Sequence, residues 1–239
     1  MKNINEIAFI IQSRKGSVRV KNKMLKPFND SCLFEIAIKK ILNSKIIPKE
    51  NFYVSVLDDE FKTIAKKHKV NIFHRSPEST VEPVELPTVF GWHKDGALNK
   101  PYKYWVTING CNPLLSIDTI DRFVESFLNS DSNGAFGVFE KKTFLFNNDG
   151  IMLNKFFGED KYLATLETKY VETCYEAAHS LYAGTMEDIK NEIYTGTFKE
   201  AGNPEFFIMD EIECFDIDWP FQFEIAETMY RQRKDQIWS

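Results

Sequence analysis

Apolar and polar positions follow two different periods along the first 75 residues. Short apolar runs at residues 6–12, 52–56 and 70–73 predict buried strands. Between them, apolar residues from 33 to 42 and from 61 to 65 recur at helical spacing, after residues suited to helix caps (residues 29–31, then Asp58 or Asp59). The order βαβαβ predicts an α/β fold with a mostly parallel, Rossmann-like sheet flanked by helices.

The rest of the chain continues the alternation of strands and helices, with one interruption. We predict strands at residues 104–108, 134–139, 206–209 and 214–217, and a strand-like run that ends at residues 182–184. Ser116 is a suitable cap for a helix with apolar residues from 120 to 128, and a last helix begins near Pro220. Residues 140–170 lose the alternation and predict a small β-rich arm. No linker divides residues 1–239, so we expect a single domain.

Composition excludes several classes of function. The 239-residue chain has a net charge of −5, so no overall field attracts nucleic acid or an anionic membrane. No apolar run approaches the roughly 20 residues that span a bilayer, and the first residues do not resemble a signal peptide. The four cysteines are scattered, which favours reduced thiols and a cytoplasmic location.

A strongly basic loop follows the first predicted strand. Its cations are Arg14, Lys15, Arg19, Lys21 and Lys23, with Gly16 and Ser17 among them. Lys21 and Lys23 lie one residue apart, so on an extended chain their side chains should point the same way. Loops at the carboxyl ends of strands in open α/β sheets bind ligands, and this composition suits a polyphosphate. The alternative is a solvated basic turn. Neither GxxxxGK[ST] nor GxGxxG is present.

Two more clusters carry polar side chains near predicted strand ends. Asn109 and Asn112 follow the central strand and could bind a substrate hydroxyl or carboxylate, although such residues are also common in turns. Asp216 and Asp218 alternate on a predicted strand, so both carboxylates should point to one side. Together with phosphate oxygens they would suit Mg²⁺, whereas Asp218 could instead cap the last helix.

In this order, the clusters resemble the cytidylyltransferases that activate sialic acid, Kdo and related sugar acids as CMP conjugates. The family's first motif, Arg-x-x-Ser-x-(Arg/Lys/Gly)-x-x-x-Lys, matches Arg14, Ser17, Arg19 and Lys23. Later family motifs are resembled, in the family's order, by the segments "FYVSVLDDEF", "HRSPES", "VTINGCNPLL" and "CFDIDWPFQFEIAETM". In the second of these segments, Arg75 occupies the position of a family arginine that approaches the nucleotide. The resemblance spans nearly the whole chain.

The resemblance implies transfer of CMP from CTP to the hydroxyl group of a sugar acid, with release of pyrophosphate, in surface-glycan biosynthesis. It implies catalytic roles for Arg14, Arg19 and Lys23, and a magnesium site at Asp216 and Asp218. Nucleotide binding would involve Arg14, Gly16, Ser17, Lys23 and Arg75. Asn109 and His179 would contact the acceptor. The irregular segment 140–170 resembles the arm with which this family forms homodimers.

Departures from the family pattern concern the acceptor. Asn109 replaces a glutamine, and Cys111 stands where the Kdo branch has a metal-binding aspartate. The segment "YEAAHSLY" lacks the asparagine and glycine that contact a nine-carbon sugar acid. The sequence therefore predicts an acceptor other than ordinary sialic acid. The alternatives are a nucleotidyltransferase for a sugar phosphate or phosphonate, and an inactive homologue that only binds a nucleotide.

Overall fold

The computed structural model describes residues 1–81 and 85–239 of the chain. The strands are β1 (Ile7–Gln12), β2 (Pro27–Phe28), β3 (Ser31–Cys32), β4 (Phe52–Val56), β5 (Asn71–His74), β6 (Tyr104–Ile108), β7 (Ala135–Lys141), β8 (Cys174–Thr185) and β9 (Glu205–Ile208). The α-helices are α1 (Leu33–Asn43), α2 (Asp59–Lys67), α3 (Leu86–Val89), α4 (Ile117–Asn129), α5 (Asp160–Ala164), α6 (Met186–Lys190), α7 (Pro220–Gln232) and α8 (Lys234–Ile237). Within these residues, no helix has the length and apolar character needed to span a membrane.

Seven strands form one sheet in the order β5-β4-β1-β6-β8-β7-β9. β1 is parallel to β4 and β6, and β4 is parallel to β5. β8 runs antiparallel to both β6 and β7, and β9 is parallel to β7. β2 and β3 form a separate antiparallel ribbon. The predicted α/β fold with a mostly parallel sheet is confirmed.

Both faces of the sheet are buried, which explains the uninterrupted apolar run in β1. Ile7, Phe9 and Ile11 pack into a large core cluster with residues of α1, α2, α4 and α7. Ala8 and Ile10 point the other way and pack into a second cluster that includes residues of α6. Successive side chains of a strand alternate between faces, so a strand covered on both sides needs apolar residues at every position.

The strand predicted at residues 214–217 is wrong. A 3₁₀ helix occupies Glu211–Cys214, and residues 215–218 follow it outside the sheet. The Glu213 carboxylate accepts a hydrogen bond from the Ser116 backbone N–H at 3.1 Å, at the start of α4. This contact with a distant helix explains why the local apolar pattern was misleading.

Helix starts were predicted with mixed success. Ser116 caps α4 as expected, since its side chain accepts from the Thr119 N–H at 3.1 Å. Asp58 occupies the cap position of α2, as expected, but its side chain makes no capping hydrogen bond. The caps predicted for α1 at residues 29–31 are wrong, because the β2–β3 ribbon uses these residues and α1 begins only after Cys32.

The segment between β7 and β8, residues 142–173, contains little regular structure. Its β-structure consists of two isolated bridges, Phe146 to Met152 and Phe156 to Val171, and α5 lies between the two partners of the second bridge. Several large apolar side chains of the segment are exposed, namely Leu145, Phe146, Ile151, Leu153, Phe157 and Leu166. Exposed apolar groups at this density suit an interaction surface.

Candidate active site

A cleft of about 750 Å³ opens at one edge of the sheet. β1, β4, β5 and β6 run parallel, so their carboxyl ends meet at this edge. The cleft is lined by Gln12, Ser13, Arg14, Arg75, Ser79, Val81, Val89, Phe90, Thr107, Ile108, Asn109, Tyr182 and Tyr194. Open α/β sheets bind their ligands at such an edge.

The loop after β1 begins at the cleft and then leaves it. Arg14 lines the cleft, and its Nη1 donates a hydrogen bond to the Thr80 carbonyl at 2.6 Å. Gly16 is exposed, and neither Gly16 nor Ser17 is a lining residue. Of the four loop residues predicted to bind a nucleotide, namely Arg14, Gly16, Ser17 and Lys23, Arg14 alone lines the cleft.

Lys21 and Lys23 occupy different environments, although the sequence predicts that they point the same way. Asn22 between them has φ of 53°, so the chain turns rather than extends. Lys21 is exposed, whereas Lys23 is buried. The prediction for this pair is wrong because it assumed an extended chain.

The buried lysine meets the carboxylates from the other end of the chain. Lys23 Nζ donates to the Ile217 carbonyl and lies 3.4 Å from Asp218 Oδ1. Arg19 Nη2 lies 2.8 Å from the same oxygen, and its guanidinium group lies over the Trp219 ring. The Asp218 carboxylate thus pairs with two cations. It does not cap α7, because the cap residue is Trp219.

Asp216 differs from Asp218 in having no such partner. Its Oδ1 is buried and has no hydrogen-bond partner among the described residues. Burial raises the pKa of the Asp216 carboxyl group, and attraction to Lys23 opposes this shift only in part. A buried carboxylate oxygen without a donor is unfavourable in the free protein, so this oxygen is available to an incoming cation or donor.

The donor set fits a cation that also binds a ligand. Across residues 1–81 and 85–239, no group of three or more His, Cys, Asp or Glu side chains is arranged to hold a metal ion. A divalent cation at Asp216 and Asp218 would thus need further oxygens from a bound molecule. Mg²⁺ is commonly held in this way, by one or two carboxylates together with phosphate oxygens.

Cys111 adds a thiol to the surroundings of these groups. Its Sγ lies 3.6 Å from the sulfur of Met24. Burial raises the pKa of the Cys111 thiol to about 11, while the positive charge of Lys23 lowers it to a smaller extent. Cys111 is therefore neutral at physiological pH and leaves the negative charge here to Asp216 and Asp218.

Arg75 is held by the protein with its guanidinium group at the cleft. Its Nε donates to Ser79 Oγ at 3.1 Å, and its Nη1 lies 3.5 Å from the Ser13 carbonyl. Burial, and then repulsion by Arg14, lowers the pKa of Arg75 to about 10. The Arg75 side chain remains charged at neutral pH. It therefore places a positive charge of fixed orientation in the wall of the cleft.

The turn after β6 is stabilised by Asn109. Its Oδ1 accepts from the Cys111 N–H at 3.0 Å, and its Nδ2 donates to the His179 carbonyl at 2.8 Å. Asn109 also lines the cleft. The side chain thus holds the turn against β8, as the turn alternative predicted, while a contact with an acceptor stays a prediction.

Lys40 stabilises the same turn through contacts with its backbone carbonyl groups. It lies on α1 with only 3% of its surface exposed. Its Nζ donates to the Pro113 carbonyl at 2.6 Å and lies 3.5 Å from the Asn112 carbonyl. Burial lowers the pKa of Lys40 from 10.5 to about 7, and Glu213 offsets this shift only slightly.

Lys40→Met should flatten the dependence of stability on pH. Between pH 7 and pH 10.5 the unfolded chain keeps a proton on Lys40 that the folded protein has lost, so stability rises with pH in this window. The contribution is at most about 1.4 kcal/mol per pH unit and is absent from the variant. Urea unfolding from pH 6 to 10 measures this slope. Lys39→Met, at the more exposed neighbouring position, should keep the wild-type slope, and equal slopes for Lys40→Met and wild type would contradict the prediction.

His179 lies in an irregular part of β8. The pairing of β7 with β8 shifts register between Phe136 and Val138, and His179 has φ of 50°. Its imidazole is exposed, and its Nδ1 lies 2.8 Å from the hydroxyl oxygen of Tyr182, which lines the cleft. Non-glycine residues with such φ values are uncommon and concentrate at functional sites.

The structure thus divides the predicted residues into two neighbouring groups. Arg14, Arg75 and Asn109 line the cleft. Arg19 and Lys23 meet Asp218 beside Asp216. Attraction to His179 lowers the pKa of Asp216 in part, and the charge of Asp216 adds to the burial that raises the pKa of Tyr182. Tyr182 links the groups, because it lines the cleft. Sequence reasoning did not assign Tyr182 or Ser13 to the site, although Ser13 directly precedes Arg14 at the end of β1.

Comparison with known proteins identifies relatives along the whole chain. A post-translational flagellin modification protein B of Campylobacter coli is 25% identical over 248 aligned residues, covering 98% of both chains. An uncharacterized protein of Methanocaldococcus jannaschii is 29% identical, covering 53% of this chain and 49% of that protein. A spore coat polysaccharide biosynthesis protein of Bacillus subtilis is 24% identical, covering 54% and 53%. The chain spans about half the length of the last two.

Solved structures share the fold. A CMP:2-keto-3-deoxy-manno-octonic acid synthetase complexed with CTP has a TM-score of 0.65 at 11% identity, covering 95% of this chain and 99% of that chain. A 4-diphosphocytidyl-2C-methyl-D-erythritol synthase from Anaerococcus prevotii has a TM-score of 0.64 at 13% identity, covering 94% and 96%. The model of the cytidylyltransferase family matches residues 8–236. The chain therefore belongs to the cytidylyltransferase family and is a nucleotidyltransferase.

Proposed function

We propose that the protein transfers CMP from CTP to the hydroxyl group of a sugar acid and releases pyrophosphate. The acceptor oxygen attacks the α-phosphorus, the bond from this phosphorus to the oxygen bridging the β-phosphorus breaks, and the hydroxyl proton passes to solvent. Such transfers depend mainly on positioning and on stabilisation of phosphate charge. The observation that carries the proposal is the meeting of Arg19 and Lys23 with Asp218 beside the cleft.

The basic residues have separate roles in this proposal. Lys23, buried and fixed, stabilises negative charge that develops on the phosphates. Arg19 is half exposed, so it can turn from Asp218 toward the triphosphate when the nucleotide binds. Arg14 faces the phosphates from the cleft wall, and Gly16 and Ser17 offer hydrogen bonds from the loop. Arg75 lies deeper, at the nucleoside end.

Asp216 and Asp218 would hold Mg²⁺ together with phosphate oxygens. When bound, the ion would supply charge neutralisation on the triphosphate and would acidify a coordinated hydroxyl group. Asp216 suits this role because its Oδ1 is buried and lacks a donor from the described residues. Asp218, which pairs with Arg19 in the free protein, would share its carboxylate with the ion.

The acceptor half of the proposal rests on Asn109, His179 and the names of two relatives. Asn109 and His179 would contact a hydroxylated acid, and the exposed imidazole of His179 is well placed beside Tyr182. One relative is named for modification of flagellin and another for biosynthesis of spore coat polysaccharide, which supports a role in surface glycans. A sugar phosphate remains the second candidate class, because the fold is shared with a 4-diphosphocytidyl-2C-methyl-D-erythritol synthase.

We further propose a homodimer that uses the segment 142–173. Its exposed apolar side chains, including Phe146, Ile151 and Phe157, would be covered by a second copy of the chain. Sedimentation of wild type and of a Phe146→Ser/Phe157→Ser variant tests this, since loss of the apolar side chains should shift the protein toward monomer.

A panel of acceptors tests the proposed reaction. Pyrophosphate release is measured with each of the four NTPs, with and without Mg²⁺, in the presence of sialic acids, Kdo, other sugar acids and sugar phosphates. We expect release that requires CTP, Mg²⁺ and a sugar acid. Release with sugar phosphates alone would identify the second class. Binding of CTP without turnover on any acceptor would contradict catalysis, and efficient use of N-acetylneuraminate alone would contradict the prediction of a different acceptor.

A further inference from the structure

Ser13 places an unpaired hydroxyl group in the wall of the cleft. It follows β1 directly, and its backbone N–H continues the ladder to β4 by donating to the Ser55 carbonyl at 3.1 Å. The residue is 4% exposed and lines the cleft, and its Oγ has no hydrogen-bond partner in the described part of the chain. Leaving a buried hydroxyl unpaired lowers stability, so a role in binding would explain why a serine is present.

The side of the cleft that Ser13 shares with Arg75 suits a heterocyclic base. The Ser13 carbonyl lies 3.5 Å from Arg75 Nη1, and Arg75 in turn donates to Ser79. Apolar walls come from Val81, Val89 and Phe90, which line the same cleft. Apolar and aromatic walls with a few placed polar groups are typical of small-molecule and cofactor sites.

Two of the three cations proposed to bind phosphate lie outside the part of the cleft around Ser13, and Arg14 is the third. Arg19 and Lys23 contact Asp218 and are not among the residues that line the cleft around Ser13. A nucleotide that places its phosphates near these cations therefore directs its base toward Ser13 and Arg75. This orientation rests on the proposed function.

We propose that the Ser13 hydroxyl group hydrogen-bonds the cytosine base of CTP. A hydroxyl group can donate to the ring nitrogen N3 or accept from the exocyclic amine. Serine has three staggered side-chain rotamers, and a change of rotamer turns Oγ from the wall into the cleft. Ser13 is thus a further determinant of nucleotide affinity beside Arg75.

Ser55 provides a matched control for this proposal. Its hydroxyl group is also buried and also lacks a partner among the residues described, but Ser55 does not line the cleft. Ser13→Ala and Ser55→Ala each remove one unpaired hydroxyl, so neither variant should lose thermal stability in the absence of ligand. Only Ser13→Ala should change binding.

Titration calorimetry with Mg²⁺ and CTP, and separately with tripolyphosphate, tests the proposal. Ser13→Ala should bind CTP about tenfold more weakly than wild type, the effect of one lost hydrogen bond, while Ser55→Ala binds it normally. Affinity for tripolyphosphate should not change in either variant. Unchanged CTP affinity in Ser13→Ala, or an equal loss for tripolyphosphate, would overturn the assignment to the base. Failure of wild type to bind CTP at all would instead overturn the proposed function, and this inference with it.

Discussion

Lys23→Ala is expected to slow CTP-dependent pyrophosphate release by about 100-fold or more, the usual effect of losing a preorganised charge partner of the transition state. Lys23 is buried, and its Nζ is held by the Ile217 carbonyl beside Asp216 and Asp218. A fixed cation needs little reorganisation when charge develops on the phosphates, so its effect should appear mainly in kcat. The assay uses the acceptor that the panel identifies.

Lys21→Ala is the matched control for this prediction. Lys21 lies two residues away in the same loop, carries the same charge and is exposed, so its removal should change kcat by less than threefold or so. Because loss of one partner from a buried ion pair can destabilise the fold, Lys23→Gln is measured beside Lys23→Ala. It keeps a donor for the Ile217 carbonyl but lacks the charge. A folded Lys23→Gln enzyme with wild-type kcat would remove Lys23 from the mechanism.

The environment of Lys23 also favours its charged state. Burial lowers the pKa of Lys23, but the Cys111 thiol, once it ionises at high pH, and the carboxylates of Asp216 and Asp218 raise it by more, and the net shift is upward from 10.5. The ammonium group therefore keeps its proton at neutral pH and loses it only as the pH rises through the folded-state pKa, above 10.5. We expect no loss of activity from this group between pH 6 and 9.

Much of the fold could be predicted because its signals are local. The apolar run of β1, the helical spacing in α4 and the Ser116 cap each report a structure formed within a few residues. The segment around Glu213 could not be predicted in this way. Its conformation depends on a contact with the start of α4, about 97 residues earlier in the chain, which no local pattern reveals.

The site was predictable in composition but not in arrangement. The basic loop and the two aspartates were recognisable as residue types, and their meeting was a hypothesis that the contact of Lys23 with Asp218 supports. The burial of Lys23 beside an exposed Lys21 follows from the turn at Asn22, and that turn is not evident from the sequence. Ser13 has no sequence signal at all, because an unpaired hydroxyl group is recognised only once its neighbours are known.

Asp216→Asn is expected to lower Mg²⁺-dependent turnover by about 100-fold or more, because charge neutralisation by a bound divalent cation is worth several kcal/mol and each 1.4 kcal/mol is tenfold in rate. The same change should not destabilise the protein at pH 7. Burial raises the pKa of Asp216, so the folded state disfavours its charge, and Oδ1 has no hydrogen bond to lose within the described chain. Turnover and urea unfolding measure the two effects.

The pH dependence of stability separates this explanation from a structural role for Asp216. Its pKa is higher in the folded protein than the 3.8 of the unfolded chain, so its unfavourable contribution is complete above the folded-state pKa and disappears as the pH falls through that value. If Asp216→Asn has a higher free energy of unfolding than wild type at pH 7, this difference should therefore become smaller in acid. Glu211→Gln, which removes an exposed carboxylate from the same segment, is the control. It should change neither turnover nor the pH dependence of the free energy of unfolding. A destabilised Asp216→Asn variant with wild-type turnover would reverse the assignment, because it would show that the carboxylate stabilises the fold and does not bind the metal.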